Sequence, residues 1–241
     1  MRTFTAASLI ALATLASGLG AAEANGRVAA PPKASPVPVV RGLDAVALAL
    51  ASPHTPTPVE RAVTVGHLHP WGAGSETEST AGATADCDGC TAKATALAVV
   101  YGNGPGRVRA DNLATSMTGS CSGCGTVAVS VQVVMLRRAG TVEANNRATA
   151  VNAACTECRA SSAAYQTVIV DPRGRRLSAR DLAGLRDWLQ DQADQMASSA
   201  PAQSLRRGAA TSSPESVLDQ QLQAALGQGA KVTTKVDRVT R

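Results

Sequence analysis

Aromatic side chains are nearly missing: one Phe, two Tyr and two Trp stand in 241 residues, beside only three His. That scarcity excludes a stacking platform for single strands or sugars, which needs interleaved aromatics. It also leaves a core made mainly of Ala and Val, so the interior must depend on close backbone approach and covalent staples. Catalytic signatures are missing too. No His-Glu-x-x-His and no Walker-type loop occurs. Gly102-Asn103-Gly104-Pro105-Gly106 is not G-x-G-x-x-G, Pro105 brings no amide proton, and the run reads as a turn. Gly119-Ser120-Cys121-Ser122-Gly123 has the letters of a nucleophile elbow, but its context is helix, turn, strand, the reverse of what an elbow needs. No catalytic residue and no cofactor is therefore assigned. The formal charge of +5 is spread along the chain, and the densest cluster, Arg173, Arg175, Arg176 and Arg180, reads as a solvated turn, so nucleic acid is not an expected partner.

No run of eighteen apolar residues follows residue 24, so stable membrane insertion is not expected. Residues 1–24 read as a secretory signal peptide: Arg2, an apolar run from Ala6 to Leu19, and a small-x-small site at Ala22-Glu23-Ala24. The chain is accordingly expected outside the cell, in association with the cell wall. Residues 25–85 hold most of the prolines and all three histidines, and read as a Pro-rich linker. Residues 198–241 read as a polar tail with one short helix, since Ser212 to Glu215 has capping-box spacing and Val217, Leu218, Leu222, Ala225 and Leu226 form a stripe before Gly227. The last stretch, from Lys231, is expected to fray.

Between these, residues 86–197 are a tandem repeat. Cys87/Cys90, Cys121/Cys124 and Cys155/Cys158 follow one another at a step of 34 residues. Ala110, Ala114, Met117 and Cys121 become Ala144, Ala148, Val151 and Cys155, then Ser178, Leu182, Leu185 and Leu189, a spacing that suits one face of a helix. After each pair comes a period-2 stretch of strand character, Thr91 to Tyr101, Thr126 to Met135 and Ser161 to Val170. The predicted fold is therefore α/β: three strand-helix repeats forming a small parallel sheet with its helices on one face. Leu97, Val99 and Tyr101, with Val131, Val133, Met135, Tyr165, Thr167 and Ile169, form the bulky face for the helices. Ala94, Ala96, Ala98, Ala128, Ser130, Gln132, Ser162, Ala164 and Gln166 form the smaller second face. Parallel sheets are rarely bare, so this face is the candidate binding face, for a protein or cell-wall partner or for a second copy forming a homo-oligomer.

In an exported chain, evenly spaced cysteines read first as a disulfide framework. A bridge within each pair would pin a helix end to a strand start and contribute roughly 2 kcal/mol. Bridges between neighbouring repeats are the open variant. Gly89 and Gly123 sit where a helix C-cap would turn left-handed. Thiol-disulfide exchange is the alternative, disfavoured because Asp86, Asp88 and Glu157 raise a thiol pKa and no helix N-terminus is at hand. A zinc module is the second alternative, but equivalent pairs in a line are poorly placed to converge on one ion, so no metal ligand is assigned. His54, His67 and His69 read as solvated linker side chains.

The block from Asn146-Arg147-Ala148-Thr149-Ala150-Val151-Asn152-Ala153-Ala154-Cys155-Thr156-Glu157-Cys158 through Ala164-Tyr165-Gln166 resembles the cysteine-pair repeats of exported actinobacterial proteins, some of them labelled peptide zinc metalloprotease-like. The resemblance covers about residues 83–170, and the protease motif and membrane spans are not among them. It implies an exported repeat module of unknown role, and the residues themselves read as a disulfide-stapled, non-enzymatic repeat domain with a structural or binding role at the cell surface.

Overall fold

The computed structural model describes residues 43–68, 75–103, 107–138, 140–198 and 213–241. In chain order they form β1 (Ala45–Ala51), β2 (Val59–Leu68), β3 (Ser75–Ala85), β4 (Thr91–Gly102), β5 (Val108–Gly119), β6 (Gly125–Leu136), β7 (Val142–Ala153), β8 (Arg159–Val170), α1 (Ala179–Ser198), α2 (Pro214–Leu226) and β9 (Lys231–Thr240). From β1 to β8 the strands pair with the next but one. One sheet is β1-β3-β5-β7 and the other β2-β4-β6-β8, closed on its last edge by β9. All pairs are parallel except β8 with β9. The chain is thus a β-solenoid whose coils each give one strand to each sheet, and the expected α/β strand-helix repeat is corrected.

The 34-residue step is real, because Val108 lies beside Val142 and Thr91 beside Gly125. The element assigned to half of each repeat was not: the helices expected over 110–121 and 144–155 are β5 and β7. The physical reason lies in what points inward. Along β5 the buried positions include Val108, Ala110, Asn112, Ala114, Ser116 and Thr118, a period of two whose members are half polar. Counting apolar residues alone hides that alternation, and the 0, 4, 7, 11 set mixes faces: Ala114 is buried while Met117 is 45% exposed. Only the third occurrence, from Ser178, is helical, as α1.

The segment read as a linker holds a full coil. β1, β2 and β3 extend both sheets before the first cysteine, with Ala51 beside Ala85 and Val59 beside Lys93. Pro53 and Pro56 fall in the corner where the next coil has Cys87 and Cys90, a turn position that proline tolerates. In the C-terminal segment, Ser213 caps α2 by accepting from the Ser216 amide, with Pro214 in the first turn. The final stretch does not fray: β9 pairs with β8 from Val170 beside Lys231 to Ser161 beside Thr240. The proposed signal peptide, residues 1–24, lies outside the described residues.

Three layers result. Between the sheets lie Ala45, Ala47, Ala49, Ala81, Ala83, Ala94, Ala96, Ala98, Ala114, Ala128 and Ala164, with the cysteines at one corner. On the far face of the second sheet, Leu97, Val99, Tyr101, Val131, Val133, Met135, Tyr165 and Ile169 pack under Leu185, Trp188, Leu189, Met196, Leu218, Leu222 and Leu226 of α1 and α2. The bulky face is therefore helix-covered as expected, by two C-terminal helices and not by one per repeat.

Candidate functional site

The cysteine pairs form successive corners between the first sheet and the second. Within each pair the sulfurs stand at bonding distance and the Cα atoms 5.4, 6.3 and 5.8 Å apart, inside the disulfide range. The first corner is closed by the Cys90 amide donating to Cys87 O at 3.0 Å. Its third residue is left-handed in every copy: Gly89 (φ 68°), Gly123 (φ 66°) and Glu157 (φ 54°). The two glycines do adopt the conformation expected of them, in a strand-to-strand corner and not at a helix C-cap. Glu157 takes the same conformation with a side chain, at a steric cost of about 1 kcal/mol.

The corners stack through backbone hydrogen bonds. Thr91 N donates to Pro56 O (2.9 Å), Gly125 N to Cys90 O (2.9 Å) and Arg159 N to Cys124 O (2.8 Å). Gly123 N donates to Thr156 O (2.9 Å), and Ser122 N donates to the Asp88 carboxylate (2.7 Å), which so holds a place in the stack. The stacking is uneven. From β3 to β5 the offset is 33 residues, since Ala85 lies beside Thr118, while the cysteines keep 34. The difference is taken up by one added residue before the second and third pairs, Ser120 (φ 54°) and Ala154 (φ 49°), which the first corner lacks.

Consequently the second and third corners superimpose closely. Cys121 Sγ lies 3.6 Å from Cys155 Sγ and 3.8 Å from Cys158 Sγ, and the four sulfurs of Cys121, Cys124, Cys155 and Cys158 all fall within 4.8 Å of one another. The expectation that pairs in a line are poorly placed to converge is corrected: parallel stacking brings residues 34 apart into contact, a signal present in the repeat step once the coil is known. Cys121 and Cys124 are buried and Cys155 and Cys158 half-buried, and Cys124 lines a cleft of about 380 Å³ together with Gly123, Glu157, Arg159 and Ala197. Cys87 and Cys90 do not join the sulfur cluster.

The expected binding face is also corrected. Ala94, Ala96, Ala98, Ala128, Ser130, Gln132, Ser162, Ala164 and Gln166 are at most 1% exposed, because the chain's own first sheet covers them. No homo-oligomer can form through that face. Its polar members are the rungs of an internal ladder. Asn112 Nδ2 donates to Asn146 Oδ1 (2.7 Å), Gln166 Nε2 to Gln132 Oε1 (2.7 Å) and Ser130 Oγ to Asn112 Oδ1 (2.6 Å). Most of the exposed apolar surface lies elsewhere, on the first coil: Val46, Leu48 and Leu50 are 51, 66 and 61% exposed, and Val59, Val63 and Val65 of β2 are also exposed, with Met117, Val151 and Val236 exposed on later strands. Among the described residues no strand pairs with the outer edge of β1 or β2.

Of the histidines, exposed His54 sits in the corner before β2 and His67 near the end of β2, with its ring 5.3 Å from that of Tyr101, so strand β2 separates them. His69 lies outside the described residues. The arginine cluster is partly structural. Arg175 grips the buried Asp171 carboxylate with Nε at 3.0 Å and Nη2 at 3.1 Å, and the amides of Arg173 and Arg175 add to it. These donors hold the Asp171 pKa down at about 2, the Arg175 side chain contributing most. Burial pushes the Tyr165 hydroxyl up, against the opposing Arg238 guanidinium.

No protein-family model, curated protein or solved structure matches the chain. No described helix is long and apolar enough to cross a membrane.

Proposed function

We propose that the chain is an exported repeat module, stapled by its cysteine pairs, that serves as a binding or structural element at the cell surface and catalyses no reaction. The observation that supports this reading is the open first coil. A solenoid is extended by adding strands to its end, and among the described residues β1 and β2 offer two unpaired edges flanked by Val46, Leu48 and Leu50. Exposed apolar patches and free strand edges are the features by which such folds take partners. Export itself rests on the N-terminal apolar segment, and the expected partner is a protein or cell-wall component.

Fractionation of the native host, followed by co-sedimentation of purified chain with cell envelopes, tests the proposal. The wild type should pellet with envelopes, and a Leu48→Lys/Leu50→Lys variant with unchanged circular dichroism should stay in solution. Equal partitioning of the two would remove the assigned surface. Turnover in an insulin-reduction assay would overturn the non-catalytic reading in favour of thiol-disulfide exchange.

A further inference from the structure

We infer that the reduced chain holds one zinc ion, or another thiophilic divalent cation, between Cys121, Cys124, Cys155 and Cys158, so that the second and third corners form a site with two states, paired disulfides or a metal tetrathiolate. This goes beyond the proposed surface role and does not depend on it.

The geometry carries the argument. A tetrahedral zinc-thiolate centre has Zn–S bonds of about 2.3 Å, which sets its sulfur-sulfur edges at about 3.8 Å. The two contacts between corners are already 3.6 and 3.8 Å, and the widest separation in the group is within 4.8 Å. Opening the two bonds within the pairs therefore completes the tetrahedron by small side-chain rotations, while the backbone bonds Thr156 N to Cys121 O (3.2 Å) and Arg159 N to Cys124 O (2.8 Å) keep the corners in place. Four thiolates in one shell select zinc over harder cations. The partial exposure of Cys155 and Cys158, and the cleft that Cys124 lines, supply a route for the ion. Cys87 and Cys90 are left out for a physical reason: their corner lacks the added left-handed residue that Ser120 and Ala154 supply to the other two.

The exchange balances. Two dithiol molecules reduce the two disulfides, each becoming a disulfide itself and passing on two electrons and two protons. The four thiols then bind one Zn²⁺ and release four protons. Oxidation by two disulfide equivalents ejects the ion again.

The test uses the full chain, reduced with a phosphine under nitrogen and titrated with Co²⁺ and then Zn²⁺. Expected are visible d–d bands and a sulfur-to-metal charge-transfer band that saturate at one equivalent, survive Cys87→Ser/Cys90→Ser and are lost with Cys155→Ser. Alkylation of the zinc-loaded protein, mapped by mass spectrometry, should spare Cys121, Cys124, Cys155 and Cys158 and modify Cys87 and Cys90, a readout that holds even if a variant folds poorly. Absence of the bands, protection of all three pairs alike, or a band indifferent to Cys155→Ser would overturn the assignment.

Discussion

The two faces of the second sheet bury side chains by opposite means. Toward the helices, Tyr165 stands edge-on to Trp188 with ring centroids 5.1 Å apart, among Leu, Val and Met side chains. Toward the first sheet the side chains are mostly Ala, Ser, Asn and Gln, beside one small apolar cluster of Leu68, Val100, Val108, Val134 and Leu136, and the sheets approach so closely that Ser130 Oγ lies 2.9 Å from Ser79 O and Ser79 Oγ donates to Val131 O at 3.2 Å. One layer is held by apolar area. The other is held by close contact and a ladder of buried hydrogen bonds, each worth about 1 kcal/mol net and more to leave unmade. A chain so poor in aromatics can still fold because most of its large side chains are gathered under the helices.

If this contrast is right, the layers should fail differently. Tyr165→Ala, which removes a fully buried ring from the helix layer, should lower stability by about 3–5 kcal/mol in denaturant titration; a loss under about 1 kcal/mol would show that the helices are not a core element. Ala128→Leu, in the narrow layer, should destabilise by overpacking, by up to about 3 kcal/mol. An unchanged midpoint there would mean the sheets have room to spare. Asp171 links β8 to the segment leading into α1, and its carboxyl is depressed to about 2 in the folded chain against about 4 when unfolded. Its contribution, about 2 kcal/mol, should be complete above pH 4 and fade as the pH falls from 4 to 2. Stability curves of wild type and Asp171→Asn should converge over that window, and a constant gap would refute the clamp. Glu157→Gly should raise stability by at most about 1 kcal/mol, by placing at the third corner the residue already used at Gly89 and Gly123. Destabilisation would instead show that the Glu157 side chain makes a contact that outweighs its backbone strain.

Much of this was legible, but unevenly. The step of 34, the strands after each cysteine pair, the helix-facing set Leu97 to Ile169, and α2 with Pro214 in its first turn follow from periodicity and turn chemistry. β5 and β7 did not, because Asn112, Ser116 and Thr118 face inward where a strand pattern would lead one to look for Val or Ile. Their inward polarity is intelligible only once the partner groups, Asn146, Ser130 and Ser162, are in view. β1 to β3 were hidden by prolines, and among the described residues of that segment these fall in a turn: Pro53, Pro56 and Pro58 all lie between β1 and β2, where they interrupt no ladder. The sulfur cluster was missed for the same reason as the fold, since a row of repeats that each contribute a helix keeps its cysteines apart, while a coil lays one upon the next.

The proline-bearing corner at Pro53 and Pro56 has a consequence for how such a molecule changes over generations. Because it occupies the register of a cysteine corner without any sulfur, a turn of the spiral tolerates either kind of bend, and each turn touches only the ones directly above and below. Duplication or loss of a whole 34-residue unit would therefore alter the height of the stack by about 4.8 Å and leave the other strand-to-strand joints as they were, while changing the span that α1 and α2 must cover. Length in this architecture is an adjustable quantity, bounded by the span that the two C-terminal helices can cover.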